Sequence, residues 1–300
     1  MTFVLTRREF VRRLSLVTAV APLVRHRMRA PVVVRIGVVP GDNRNAAPTH
    51  ARQQGVAMGV DEAKRAASLF GGTIETIVTT AADAPSHRLS ALLGGNDAAS
   101  CSALANAAAA AGILYVNTAC TSDALRGAEC NRSAYHVIPS DAMLRDALAL
   151  ARASEHGTAG GSLVAVAWDP SLVRFGADTL NARFRSRFGT GMSPDAWGAW
   201  FAVKILWESA LRARSGSAAA IAEFLARDTT QFDGYKGRPL SFRAWNHQLR
   251  QPLYIMTRAA NGALTYAAEQ PVAHSGEESS RALLDQLGTA AADSPCHFAK

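Results

Sequence analysis

Several features that would assign a function directly are missing from this 300-residue sequence. No apolar run approaches the roughly 18 residues that a membrane-spanning helix needs, so no internal transmembrane segment is predicted. Four cysteines are too few for a disulfide-dense fold. A content of 48% hydrophobic and 19% charged residues excludes a wholly disordered chain. The composition is that of an ordinary globular protein with one large or two smaller domains.

The sequence also lacks the short motifs of the common enzyme classes. It contains no Gly-x-Ser-x-Gly, which marks the nucleophile of many hydrolases. Its eight histidines show no His-Glu-x-x-His arrangement, which argues against a zinc enzyme. No Gly-x-Gly-x-x-Gly or Walker pattern follows the first predicted strand. We therefore expect neither catalysis nor a cofactor, and an envelope enzyme with an unrecognised site is the alternative.

The formal charge of +8 is unevenly distributed. Residues 1–30 hold seven arginines and one glutamate, a net charge of +6, which leaves +2 for the other 270 residues. A folded region so close to neutral does not favour nucleic-acid binding. The anionic macromolecular partner that the total charge suggests is therefore not predicted.

Residues 1–30 have the pattern of a targeting segment. Thr6–Arg12 resembles the twin-arginine export signal, in which paired arginines are followed two residues later by phenylalanine. The apolar stretch Leu14–Val24 is too short to span a bilayer and has the length of a signal h-region. We expect export to the periplasm by this route, and a disordered basic tail on a cytosolic protein is the alternative.

Strand and helix patterns alternate along residues 31–155. The β-branched run Pro31–Val39 predicts a buried first strand, and Gln53–Phe70 predicts a helix that ends at the glycines after it. The alternation continues with a strand at Thr73–Thr80, a helix at Ser100–Ala111, a strand at Ile113–Val116 and a helix at Asp141–Glu155. This order predicts an α/β fold with a parallel, Rossmann-like sheet that binds ligands beyond the carboxyl ends of its strands.

Helices dominate the next part of the chain. Phe175–Phe188 is amphipathic, and Ser193 caps a helix that runs to about Ala213 and carries large aromatic residues typical of a core. Asn261 and Gly262 predict a turn that joins two strands, Pro252–Thr257 and Ala263–Tyr266, as a hairpin. Residues 271–300 are polar and are predicted to form a disordered tail.

Two stretches, Leu93–Cys101 and Gly112–Leu125, resemble the type 1 periplasmic solute-binding proteins of ABC transporters, the leucine-binding protein family. In that family the two loops bind a ligand carboxylate through hydroxyls, free backbone N–H groups and a positive helix end. The resemblance implies ligand contacts at Ala98, Ala99, Ser100, Ala119 and Thr121. For Ser100 and Thr121 the alternative is capping and turn formation. Since Ala98 and Ala99 stand where the family has hydroxyls, the ligand class stays open.

Further blocks resemble the branch of these binding proteins that is associated with quinoprotein alcohol catabolism. They are Asp123–Arg126 with Cys130, His136–Met143, Phe232–Arg243 and His247–Leu253. Family members have two Rossmann-like lobes, and two lobes of roughly 150 residues need more chain than lies between the leader and the tail. The resemblance therefore implies that much of the second lobe is missing.

On this basis we divide the chain into five segments. They are an export signal (1–30), a first-lobe ligand-binding core (31–140), a shortened second-lobe remnant and crossover (141–162), a helical return segment with the C-terminal strands (163–270) and the tail (271–300).

The resemblance implies an exported protein that captures a small molecule by closure of its lobes and delivers it to an ABC permease in the inner membrane. The solute would be amino-acid-like, another small carboxylate or an alcohol-derived compound. The alternative is a degenerate binding-protein remnant that acts as a protein-interaction module or has no function.

The cysteines allow one predicted disulfide. If the protein is exported, Cys120 and Cys130 could close a small loop. Two unpaired thiols are the alternative, because spacing alone does not determine how four cysteines pair.

Overall fold

Five parallel strands form the main sheet of the protein. The computed structural model describes residues 31–41, 46–154, 162–272, 280–296 and 298, so the predicted export signal lies outside the described residues. The strands are β1 (Val32–Val38), β2 (Gly72–Val78), β3 (Ala91–Leu93), β4 (Leu114–Asn117) and β5 (Ala134–His136), in the order β2-β1-β3-β4-β5. Every neighbouring pair is parallel. The predicted α/β fold with a parallel sheet is confirmed.

Seven helices are found in the described residues. They are α1 (Ala46–Phe70), α2 (Ala98–Ala110), α3 (Asp141–Ala153), α4 (Ala177–Phe188), α5 (Pro194–Ala213), α6 (Ala218–Leu225) and α7 (Ser280–Leu284). The first helix begins at Ala46, earlier than the predicted Gln53. The helix tolerates Pro48 because this residue lies in the first turn, where a backbone N–H has no helical acceptor. Within the described ranges, no helix is both long and apolar enough to cross a membrane.

Two glycines let α1 pack directly against α5. A Cβ atom at Gly55 would lie 2.2 Å from the carbonyl oxygen of Ala196, and one at Gly59 would lie 2.8 Å from the Cβ of Val203. The large side chains of α5 are buried, with 3% or less of each exposed: Trp197, Trp200, Phe201, Ile205 and Trp207. Their predicted place in the core is confirmed.

A second, smaller sheet lies beside the main one in the fold. It contains β6 (Ser162–Val166), β9 (Leu253–Arg258) and β10 (Leu264–Gln270) in the order β10-β9-β6, with antiparallel pairing throughout. The predicted hairpin is therefore confirmed as β9 and β10. Two short strands, β7 (Ser241–Phe242) and β8 (Leu249–Arg250), pair separately. Residues 155–161 of the predicted second-lobe remnant lie outside the described residues.

Helix α3 covers this second sheet and shares its hydrophobic cluster. Met143 and Ala147 of α3 pack with Leu253 and Ile255 of β9 in a cluster distinct from the main core. The small size of these side chains, many of them alanine, fits a thin layer of one helix on three strands. The structure therefore has a large parallel layer and a small antiparallel one.

The prediction of a disordered tail over residues 271–300 is wrong for the part that the structure describes. Helix α7 forms there, and Leu284 and Leu287 are buried. The guanidinium of Arg243 donates hydrogen bonds to both of their carbonyl oxygens and pairs with Asp285 at 2.9 Å. Buried leucines and the ion pairs of Asp285 with Arg243 and Arg250 hold this segment in place, although its average composition is polar.

The predicted disulfide between Cys120 and Cys130 is also wrong. Cys130 bonds to Cys296, which lies 166 residues later in the sequence, with 5.9 Å between the Cα atoms. Cys120 is free and buried, as is Cys101. The carbonyl oxygen of Cys120 accepts a hydrogen bond of 2.8 Å from the buried guanidinium of Arg126, which holds this residue in the interior.

Candidate functional site

A cleft opens at the carboxyl edge of the main sheet, between β1 and β3. The chain proceeds from β1 to β2 on one side and from β3 to β4 on the other, so this is the point where the strand order reverses. Open α/β sheets bind ligands at such switch points. The walls of the cleft are Val38–Gly41, Thr49, Arg52, Gln53, Val56, Leu93–Gly95 and Thr118.

The first predicted ligand loop connects β3 to α2 and is closed by a capping box. The Asp97 carboxylate accepts a hydrogen bond from the Ser100 N–H at 2.8 Å, and the Ser100 hydroxyl accepts one from the Asp97 N–H at 3.1 Å. The Ser100 hydroxyl also donates to the Asp97 carboxylate at 2.7 Å. The structure therefore uses Ser100 for capping. Ala98 and Ala99 are exposed in the first helical turn, where backbone N–H groups have no acceptor within the helix.

The second predicted ligand loop follows β4 and is shaped by Asn117. Its buried side-chain oxygen accepts hydrogen bonds from the N–H groups of Ala119 (3.0 Å) and Cys120 (2.9 Å), and its amide nitrogen donates to the Cys120 carbonyl at 2.8 Å. Thr121 is half-buried, and its carbonyl oxygen accepts a hydrogen bond from the Asp141 N–H at the start of α3. Thr118 is buried and lines the cleft. One asparagine thus fixes the backbone beside the cleft.

The five predicted contacts lie on these two loops, which follow the neighbouring strands β3 and β4. The cleft wall itself is formed by their neighbours Gly94, Gly95 and Thr118. Sequence reasoning missed Thr118, although it adjoins Ala119. The signal that could have found it is its position as the first residue after a buried strand.

Arg52 is a second cleft residue that sequence reasoning missed. Its guanidinium donates to the Asp195 carboxylate at 3.0 Å, to the Asn96 side chain at 2.8 Å and to the Thr49 hydroxyl at 3.1 Å, and only 11% of the side chain is exposed. Burial raises the pKa of Asp195, which the adjacent Arg52 partly offsets. This arginine joins α1, α5 and the first loop. Nothing in the sequence distinguishes it from the other arginines.

Arg126 supports the second loop from below. Its fully buried guanidinium donates to the carbonyl oxygens of Cys120 (2.8 Å), Ser122 (3.0 Å) and Ile138 (3.1 Å), and to the Gln248 side chain at 2.9 Å. Burial lowers the pKa of Arg126 to about 10, so the group stays charged at neutral pH. Its positive charge is satisfied by neutral oxygens and therefore fixes the loop geometry.

The block that most resembles the alcohol-catabolism branch lies away from the cleft wall. Lys236 in this block is fully buried and donates to the Gln251 side chain at 2.8 Å and to the carbonyl oxygens of Ala167 and Pro252. Its ammonium lies 4.2 Å from the centroid of the Trp197 ring. Burial lowers the pKa of Lys236 well below its usual value. These contacts tie the segments before β9 and after β6 together.

A second cavity lies between β9, β10 and the segment after β6. Tyr254 and Tyr266 form part of its wall, and Val173 and Phe175 at its rim are 72% and 56% exposed. In the described part of the chain, no group of three or more His, Cys, Asp or Glu side chains could hold a metal ion. The polar side chains in the wall of the switch-point cleft are Thr49, Arg52, Gln53 and Thr118.

The fold is similar to that of solved ABC-transporter binding proteins, although the chain matches no known family model and no curated protein. The substrate-binding protein LivJ of Streptococcus pneumoniae, solved with isoleucine, is 15% identical with a TM-score of 0.65, and the match covers 79% of this chain and 98% of that one. A periplasmic binding protein from Burkholderia mallei is 11% identical with a TM-score of 0.69 and coverages of 89% and 98%. The chain has the fold of type 1 periplasmic binding proteins.

A third protein with this fold extends the range of bound solutes. The ABC-transporter solute-binding protein of R. palustris, solved with benzoate, is 12% identical with a TM-score of 0.65, and the match covers 89% of this chain and 100% of that one. Proteins of this fold thus bind both an amino acid and an aromatic carboxylate. At these identities the likeness establishes the fold alone.

Proposed function

We propose that this protein is an exported, non-catalytic solute-binding component of an ABC transporter that captures a small carboxylate. The observation that carries the proposal is the switch-point cleft, whose wall includes a buried threonine and the glycine-rich first loop that leads into α2. Two neighbours of the same fold were solved with compounds that carry a carboxylate.

The contacts that we propose for the ligand use donors, as a carboxylate requires. The backbone N–H groups of Ala98 and Ala99 lie in the first turn of α2, and the Thr118 hydroxyl lies in the cleft wall. Ala119 and Thr121 lie on the same second loop as Thr118. Since the charge of Arg52 is balanced by Asp195, the helix end and the neutral donors supply the attraction.

We also propose that the small antiparallel layer is a reduced second lobe. The main sheet has five strands and the second sheet three, and the second hydrophobic cluster is built mainly from alanines. In this proposal a ligand stabilises the closed state only by the difference between its affinities for the closed and the open protein. A small second lobe adds few contacts on closure, so most of the binding affinity comes from the first lobe. The same proposal includes delivery of the solute to an inner-membrane permease and membership of the alcohol-catabolism branch. It also includes export by the twin-arginine route, which the leader pattern supports.

One observation favours the alternative of a protein-interaction module. Val173 and Phe175 expose apolar side chains beside the second cavity. Adjacent exposed apolar side chains are typical of interaction surfaces. This alternative predicts a folded protein that binds no small solute.

The test is thermal melting of the full chain with L-isoleucine, benzoate, acetate and short-chain alcohols. A ligand at one hundred times its Kd stabilises the folded state by about 2.7 kcal/mol, which raises the Tm by roughly 4–5 °C in a chain of this size. Carboxylates should raise it and alcohols should not. A cooperative melt that no compound shifts would contradict solute binding and favour the interaction module.

The site assignment is tested by Thr118→Val, which removes a hydroxyl and nearly keeps the shape. We expect the carboxylate-induced shift to fall while the Tm without ligand changes little. The matched control is Thr265→Val on β10, whose side chain is exposed on the second sheet. An unchanged ligand-induced shift in Thr118→Val would show that the ligand binds elsewhere.

A further inference from the structure

Each of the two candidate ligand loops carries a buried thiol. Cys101 follows Ser100 in α2, and Cys120 lies between Ala119 and Thr121 on the second loop. Cys101 is 0% exposed and Cys120 is 6% exposed, and neither forms a disulfide in the structure. The protein therefore keeps two reduced sulfurs directly beneath its candidate site.

The two thiols meet around one side chain. The Cys101 Sγ lies 3.9 Å from the Asn117 side-chain oxygen, and the same oxygen accepts the Cys120 N–H at 2.9 Å. Each thiol also shifts the pKa of the other, raising that of Cys101 and lowering that of Cys120. A Cβ at Gly95 would lie 2.5 Å from the Cys101 Sγ, so the backbone of the first loop rests on this sulfur. The pair thus bridges from the cleft wall to the second loop.

We propose that Cys101 and Cys120 are a site of reversible disulfide formation that covalently joins the two candidate ligand loops. The regulation of binding that this implies rests on the proposed function, whereas the disulfide itself does not. The oxidant is a small-molecule disulfide of the glutathione class. A disulfide between the two cysteines requires a sulfur separation of about 2.05 Å.

The reaction proceeds by thiol–disulfide exchange. The Cys120 thiolate attacks one sulfur of the external disulfide, forms a mixed disulfide and releases one thiolate, which takes up the proton of Cys101. The Cys101 thiolate then attacks the Cys120 sulfur and releases the second external thiolate, which takes a proton from solvent. Two protein thiols are oxidised by two electrons, and one external disulfide is reduced to two thiols.

The surroundings favour Cys120 as the attacking group. A hydrogen bond from Cys101 lowers the pKa of Cys120 to about 6, and the charge of Arg126 adds to this effect. The same hydrogen bond and burial raise the pKa of Cys101. Because Cys120 is nearly covered, the second loop must open before the external disulfide can reach it, so we expect exchange to be slow in the folded protein.

The test equilibrates the folded full chain at a series of reduced-to-oxidised glutathione ratios. The samples are quenched with acid, denatured and alkylated with N-ethylmaleimide, and intact mass and peptide mapping then identify the free and bonded cysteines. We expect a range of ratios in which only Cys101 and Cys120 are alkylated, and more oxidising ratios in which neither is and a peptide containing the Cys101–Cys120 bond appears. Persistent alkylation of both thiols at every ratio that keeps Cys130–Cys296 closed would overturn the proposal, as would a bond from Cys120 to Cys130.

Two variants sharpen the result. Cys101→Ser should form no intramolecular bond at Cys120 and should stop at the mixed disulfide with glutathione at oxidising ratios. Cys130→Ser with Cys296→Ser should still form the Cys101–Cys120 bond. The mapping of the wild-type protein decides the question even if a variant does not fold. Because the readout needs no ligand, a failure to bind any solute in the melting assay leaves this test intact.

Discussion

Lowering the pH from 7 to 5 should destabilise the folded chain through His247. Its ring is 6% exposed, stacks on Tyr135 with 4.2 Å between centroids and has its Nδ1 3.2 Å from the Ala134 carbonyl oxygen. Burial lowers the pKa of His247 to about 4, and the charge of Arg132 acts in the same direction. The folded state therefore keeps this imidazole neutral where an unfolded chain would protonate it.

The magnitude follows from proton linkage. An unfolded histidine titrates near 6.5, so the stability is fully present above that pH and is lost as the pH falls towards the folded pKa. Each pH unit below 6.5 costs about 1.4 kcal/mol, which gives about 2 kcal/mol at pH 5. His136 acts with the same sign, since its burial lowers its pKa well below the usual value.

Urea unfolding at pH 7 and pH 5 measures the effect in the wild type and in His247→Asn. Asparagine suits this position because the residue has a positive φ of 50°. The wild type should lose about 2 kcal/mol more than the variant between the two pH values. Exposed His50→Asn is the control and should behave like the wild type. Equal losses in the wild type and His247→Asn would refute the assignment of a buried neutral imidazole.

Two further predictions concern packing and covalent linkage. Gly55→Ala should lower the free energy of unfolding by about 1–3 kcal/mol, because the new methyl group meets the Ala196 backbone. Helix propensity alone predicts a gain in stability of about 1 kcal/mol. A raised Tm would therefore contradict the close contact of α1 and α5. Cys296→Ser removes a bond that closes a loop spanning 166 residues, for which chain entropy gives about 5 kcal/mol. Urea unfolding of this variant should show a loss of at least about 2 kcal/mol, and an unchanged midpoint would mean that the Cys130–Cys296 bond contributes nothing to stability.

The strands and helices that the sequence predicts are those with their own local signal. Val32–Val38 is a β-branched run, and Ser193 with Pro194 is a cap that begins α5, so both could be read without knowledge of their neighbours. Strands β3 and β5 were missed because each has three residues, too few to show a period. They become strands because β1 and β4 offer them hydrogen bonds.

The candidate site was only partly predictable for the same physical reason. Resemblance located the two loops, but the roles of their residues depend on contacts across the fold. Ser100 is engaged by Asp97, whereas Arg52 reaches the cleft because α5 brings Asp195 to it. The partner of Cys130 lies in a segment whose composition is polar throughout. Spacing in a sequence carries no information about such long-range pairings.

The direct packing of α1 on α5 also bears on how the chain folds. Arg52 and Asp195 are 143 residues apart, yet they join the two helices at the cleft. The side chains of α5 belong to the same hydrophobic core as those of β1 and β3. Residues 31–140 therefore contain all five strands of the main sheet but lack the helix that completes its core. During synthesis the apolar surface of this sheet stays uncovered until α5 has been made. Contacts between residues so far apart in the sequence slow folding. We therefore expect this protein to fold late and to depend on chaperones until α5 is in place.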